Sequence, residues 1–258
     1  MSLIYESASW IFTSLLIVIP AICLSCGILW LIRKRIPHTT LQKSHDVIGF
    51  TLGIVGVLYS VILGFTVINA QSRYNDAIQN IHSEALTLSD LYRDAGIFPD
   101  ASRDQIRSSL RNYVEYVIKE EWWLPEQKSF ETKTKKILEA LWESYYQVDV
   151  SDAKVNVWYS VSIEKLNKLI EIRLARKFSL VEHLGPMMWT LLISGAIITI
   201  GFLFFFGLEN FRSQLFMIAI IVGYLTFMLY LVYTLDHVFH GPGGIKPVAL
   251  EQVYEMWQ

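Results

Sequence analysis

The sequence predicts an all-α membrane protein: four transmembrane helices in two hairpins, with a helical soluble domain inserted between the hairpins. Composition gives the first reason, since 53% of the 258 residues are hydrophobic and only 18% are charged, against about 25% charged in an ordinary soluble domain. Hydropathy patterning gives the second. Four apolar runs, Trp10 to Ile32, Val47 to Ala70, Pro186 to Gly207 and Gln214 to Leu235, each reach the ~20 residues that cross a hydrocarbon core of roughly 30 Å. The third is the switch in composition between Gln71 and Gly185, where most of the acidic and basic residues fall. The expected organisation is therefore 1–70 as the first hairpin (helices about 10–32 and 47–70), 71–185 as the inserted domain, 186–235 as the second hairpin and 236–258 as a C-terminal tail.

The first run is read as a retained helix, because residues 1 to 8 carry Glu6 and no basic residue, whereas a cleavable signal opens on a basic region. Its two cysteines, Cys23 and Cys26, have a redox or zinc spacing but no second pair, and are read as small residues facing lipid or another helix. Trp10 and Trp30, and Trp189 with Tyr230 and Tyr233, stand near the ends of the runs, where amphipathic rings favour the headgroup level.

In the second run Gly49, Gly53, Gly56, Ser60 and Gly64 recur every three or four residues and form one small-residue stripe that lets a helix approach closely in lipid. Two readings follow: packing inside one subunit, or copies of this helix gathered around a symmetric pore. Where the run ends, Asn69, Gln71, Arg73 and Asp76 arrive together, as an interfacial cap or as a pore vestibule.

The inserted domain has helical periodicity. Ala77, Ile81, Leu88, Tyr92 and Ala95 form one series; Ile106, Leu110, Tyr113 and Val117 a second; Leu138, Leu141, Trp142 and Tyr145 a third; Leu166, Ile170 and Leu174 a fourth. About four amphipathic helices are expected. Gly96 and Pro99 close one helix, Asp100 or Ser102 caps the next, and Pro125 and the Asp149 to Asp152 stretch mark two further breaks. No proline interrupts Val57 to Tyr92 and neither Gly nor Pro interrupts Asp152 to Leu184, so two helices are expected to continue membrane segments into the domain.

Net charge is -2, which leaves no basic field to bind nucleic acid by counterion release. Arg33, Lys34, Arg35 and Lys43 lie in the first short loop and Arg212 in the last. The positive-inside rule therefore places both loops in the cytoplasm and the inserted domain outside the cell inner (plasma) membrane.

Catalytic machinery is missing: there is no phosphate loop, no H-E-x-x-H and no nucleophile elbow. His82 with Glu84, and His237 with His240, offer two ligands without a third on a matching face, so no metal and no cofactor are expected. Glu120 and Glu121 beside Trp122 and Trp123 are read as a solvated carboxylate next to a buried ring. Asp236 follows the last helix directly. It is either an exposed stop, with Pro242 and its neighbouring glycines ending the helix, or a carboxylate at a membrane portal.

The run Gly49-Phe-Thr-Leu-Gly-Ile-Val-Gly-Val-Leu-Tyr59, then Arg73-Tyr74 and Ala77, Glu84-Ala85 and Leu88, Leu91-Tyr92, Glu121-Trp122, and Leu235-Asp236 with Phe239 and Gly241 together resemble the bestrophin-like family of bacterial membrane proteins. The resemblance spans about His45 to Val253 and connects distantly to bestrophins. It implies a homo-oligomeric ion channel, pentameric by analogy, with four membrane helices and an apolar neck on the second. Val57, Leu58, Val61, Ile62 and Phe65 would then line the pore with Asn69 below them, Gly49, Gly53, Gly56, Ser60 and Gly64 would pack helices, and Arg73, Asp76 and Asp236 would stand at an entrance or portal. The acidic calcium-clasp run of bestrophins is not evident, so calcium gating is not implied. Bestrophins keep their soluble region in the cytoplasm, opposite to the charge rule. Expected partners are lipid, inorganic ions and further copies of the chain. The competing function is a membrane-anchored scaffold or sensor that binds a partner through the inserted domain without conducting ions.

Overall fold

A computed structural model describes residues 2–36, 41–42, 45–124, 132–241 and 243–258, with side chains from Trp10 onward. Lys43, Pro125 and Pro242 lie outside the described residues. Eight α-helices occur among the described residues, and no strand: α1 Ser2–Arg35, α2 His45–Asp94, α3 Asp100–Lys119, α4 Thr132–Tyr146, α5 Ala153–Val181, α6 Pro186–Phe205, α7 Phe211–Asp236 and α8 Val248–Glu255. Four of them, α1, α2, α6 and α7, are long and apolar enough to cross a membrane. The fold class read from the sequence is the one found.

The chain folds as two compact units, Met1–Tyr74 with His183–Gly244, and Asn75–Glu182 with Ile245–Gln258. In the first, α1 packs along α7 and α6 packs on α7. Two apolar clusters hold it: Leu29 with Leu203, Phe204, Ile218 and Val222, and Tyr59 and Leu63 with Leu192, Ala196, Leu225 and Val232. Arg33 is tied to the α6–α7 loop, donating to Gln214 Oε1 at 2.9 Å and to the Leu208 carbonyl. The cationic end of α1 and that loop thus lie together.

In the second unit α3 packs against α4 and α8. Most of the periodic residues expected inside are inside: Ala77, Ile81, Leu88, Ala95, Ile106, Leu110, Tyr113, Val117, Leu141, Tyr145 and Leu166 are buried, while Tyr92, Leu138, Trp142 and Ile170 are half-buried. Leu174 departs, being exposed, because Arg173, Arg176 and Lys177 take the core positions around it.

Helix boundaries follow local chemistry. Asp152 caps α5 by accepting from the backbone N–H of Lys154 and Val155, and Asn210 caps α7 through Arg212. The cap expected at Asp100 or Ser102 is not formed. Pro99 holds that position without a side-chain bond, and Asp100 pairs with Arg103 instead. α2 continues without a break from the membrane-length run to Asp94, as expected. α5 does not continue into α6: it stops at Val181 and α6 starts at Pro186. Pro186 is the reason, since the residue before a proline is driven out of the helical region while proline itself suits a first helical turn. The 236–258 stretch also contains structure, α8 joining the second unit.

Gly195 on α6 carries a closer approach than any glycine of the second run. A Cβ there would fall on the ring atoms of buried Tyr59, whereas a Cβ at Gly53, Gly56 or Gly64 would meet nothing within 4 Å. Gly195→Ala is expected to destabilise the protein by about 1–3 kcal/mol through overpacking, read as a lower thermal-unfolding midpoint in detergent. Gly201→Ala, where a Cβ also meets nothing within 4 Å, should leave the midpoint unchanged or slightly raised.

Candidate functional site

On α2 the residues near 60 divide into three strips. Tyr59, Leu63, Thr66 and Ala70 are buried. Val57, Leu58, Val61 and Phe65 are each half or more exposed, in line with Phe50 above them and Ile68 below, so an apolar face about as long as a membrane is left uncovered by the chain. Asn69 is exposed at its lower end. Ile62 is set apart from the other candidates, half-buried against the Tyr59 and Leu192 cluster.

The small-residue stripe lies between the core strip and the open face, as a rotation of about 100° per residue requires. Within the chain only Gly49 is closely approached, by the Phe206 ring at 3.3 Å. A Cβ at Gly53, Gly56 or Gly64 would meet no described atom within 4 Å. Gly56, Ser60 and Gly64 instead border a groove of about 500 Å³ shared with Thr199, Tyr224 and Met228.

Arg73 and Asp236 are brought together, while Asp76 is exposed in the other unit. Asp236 is fully buried, which overturns the exposed-stop reading. Its Oδ1 accepts from Arg73 and, at 2.7 Å, from the Leu184 backbone N–H; Oδ2 accepts from the Trp189 indole at 3.4 Å. Its backbone carbonyl accepts from His183 Nδ1 at 3.0 Å. The last residue of α7 therefore fixes the end of α2's membrane run and the approach to α6. A buried carboxylate survives only when charge and donors meet it, and here they come from three separate places in the chain.

A second buried constellation occupies the inserted unit. Glu121 is buried in the short turn after α3, correcting the expectation of a solvated carboxylate; Trp122 is buried as expected, while Glu120 is exposed on Lys133. Glu121 receives Arg173 at 2.7 Å and Thr134 at 2.9 Å on Oε2, and Arg176 at 2.9 Å and Lys177 at 3.2 Å on Oε1. Arg176 Nε also donates to Glu84 Oε2 at 2.6 Å, and the Tyr113 hydroxyl to Glu84 Oε1 at 2.6 Å. Burial alone would raise the Glu121 carboxyl, but Arg176, Arg173 and Lys177 overcome it and bring it down to about 2. Burial pushes Lys177 down to about 8, against the pull of Glu121 and with the repulsion of Arg176 and Arg173. Glu121 is thus held ionised as an anchor, not poised to exchange protons as a general acid would be. His82 is exposed while Glu84 is buried in this network, so those two residues do not form a common site.

Sequence reasoning missed His183, Trp189 and the three cations of α5. Arg173, Arg176 and Lys177 continue the buried face of Leu166, Leu169 and Ile172 at helical spacing, and cations in phase with a core stripe were the available signal. His183 and Trp189 had none, because only folding brings them to Asp236.

A Bestrophin-like domain model matches residues 19–250. No curated protein matches the chain. Three crystal structures of a bacterial bestrophin homologue from Klebsiella pneumoniae, two of them point variants, share the fold. One variant has a TM-score of 0.73 at 14% identity and the other 0.70 at 15%. The third has 0.68 at 15%. Each match covers 93% of this chain and 97% of the homologue.

Two outcomes follow from the buried charges. Glu121→Gln leaves three cations facing one carboxylate and should cost about 3–5 kcal/mol, measured as a lower unfolding midpoint near pH 7. The folded Glu121 carboxyl lies below its ordinary value near 4.5. Its stabilisation is complete above that value and is lost as pH falls from there towards about 2; this part of the acid-induced decline should be missing in Glu121→Gln. At the other cluster, Asp236→Ala removes the acceptor of Leu184 and the partner of Arg73, while Asp236→Asn keeps one acceptor oxygen and exchanges the other, with the charge, for an amide donor. Thermal unfolding should therefore rank wild type, then Asn, then Ala.

Proposed function

We propose, from the premise that the chain belongs to the Bestrophin-like family, that it is one subunit of a homo-oligomeric ion channel whose pore is lined by α2. The observation that carries this reading is the exposed apolar face of Val57, Leu58, Val61 and Phe65, flanked by a stripe in which a Cβ at Gly53, Gly56 or Gly64 would meet no described atom within 4 Å. Small residues let helices of separate copies come together in lipid. With copies of α2 around an axis, the apolar face forms a constriction that opens and closes by wetting and dewetting, and polar residues at its ends, Asn69 first, set which ion passes. Ile62, half-buried on the core, contributes to the wall behind this neck. A pentamer is the ring that the bestrophin resemblance supports.

The competing reading is a membrane-anchored scaffold. Exposed Val157, Val161, Leu174 and Phe178 on α5 favour it, since apolar side chains along one helix suit a partner surface.

Purified protein in liposomes separates the two. The channel gives ion flux, which Phe65→Ala and Leu58→Ala raise by widening the neck, and a ring of copies by native mass spectrometry. Impermeable vesicles for wild type and both variants, or a monomer in detergent, would exclude the pore.

A further inference from the structure

His183, Asp236 and His237 converge so that one potential ligand atom from each lies within 4.8 Å of the others. The sequence pairs His237 with His240, but the structure brings His183 instead, from the segment before α6. Both rings are oriented by the backbone. His183 Nδ1 lies 3.0 Å from the Asp236 carbonyl and His237 Nδ1 lies 3.0 Å from the Tyr233 carbonyl. A carbonyl only accepts, so each Nδ1 carries the proton, and in the neutral ring the lone pair is then on Nε2. An imidazole fixed through one nitrogen to a carbonyl, with the other nitrogen carrying the lone pair, is how metal-binding histidines are held. The two rings stack at 4.8 Å and 24°, which sets the imidazoles side by side next to Asp236. For the carboxylate, Oδ1 is taken by Arg73 and Leu184, while among the described residues Oδ2 receives the long 3.4 Å indole bond and retains capacity to coordinate.

We propose that His183 and His237, through Nε2, and Asp236, through Oδ2, bind a divalent transition ion of the zinc class. Two imidazole nitrogens and one carboxylate oxygen suit Zn²⁺ with a fourth position left to water. Ca²⁺ and Mg²⁺, which require mostly oxygen ligands, are poorly served. The bound ion links the segment before α6 to the end of α7, and its charge competes with Arg73 for Asp236. The site stands apart from the question of conduction.

The test uses full-length protein in detergent, stripped with chelator and titrated with Zn²⁺ alone by calorimetry and thermal unfolding, and with Co²⁺ for its visible spectrum. One Zn²⁺ per chain, a raised unfolding midpoint and the absorption of a low-coordinate Co²⁺ centre are expected. His183→Gln and His237→Gln should each weaken Zn²⁺ binding by at least about tenfold, and His82→Gln, His240→Gln and Cys23→Ser should not. A wild-type chain that takes up no Zn²⁺ overturns the proposal. So does uptake that survives both ligand variants or disappears with the cysteine. If His183→Gln fails to fold, the half-buried His237 decides through its own variant.

Discussion

Asp236 ends a membrane helix with its carboxylate wholly out of water, and the geometry of the first unit depends on how that charge is met. An isolated carboxylate in such a place would be protonated or would cost several kcal/mol. It is met by a guanidinium from α2, a backbone amide before α6 and an indole from α6. The same contacts explain why the chain breaks between α5 and α6. Leu184 is turned out of helical pairing towards Asp236, and Pro186 restarts the helix.

The inserted unit obeys the same constraint with more charges. Glu84, Glu121, Arg173, Arg176 and Lys177 come from α2, the turn after α3 and α5, with hydroxyls from α3 and α4. Three cations face two carboxylates, and burial, reinforced by the repulsion of Arg176 and Arg173, lowers the affinity of Lys177 for its proton. Buried ion pairs are weak sources of stability in comparison with apolar packing. Their effect is on arrangement, because these charges meet only when α2, the turn after α3 and α5 are brought together.

α2 differs from the other membrane-length helices in how its surface is divided. One strip is core, one is small, and one is apolar and open. Inside the subunit the close helix contact is made elsewhere, by Gly195 on α6 beneath the ring of Tyr59. A Cβ on the small strip at Gly53, Gly56 or Gly64 would meet no described atom within 4 Å.

Composition and periodicity alone determined that four helices are long and apolar enough to cross a membrane, and which faces of Ala77, Ile106 or Leu141 are buried. Those properties depend on residue type and on a repeat of 3.6, both readable along a line. The burial of Asp236 and Glu121, the cations in the core of α5 and the meeting of His183 with His237 were decided only by the tertiary structure. Charged residues read as exposed unless their counter-charges are known, and here those partners stand dozens of residues away, where no local pattern records them.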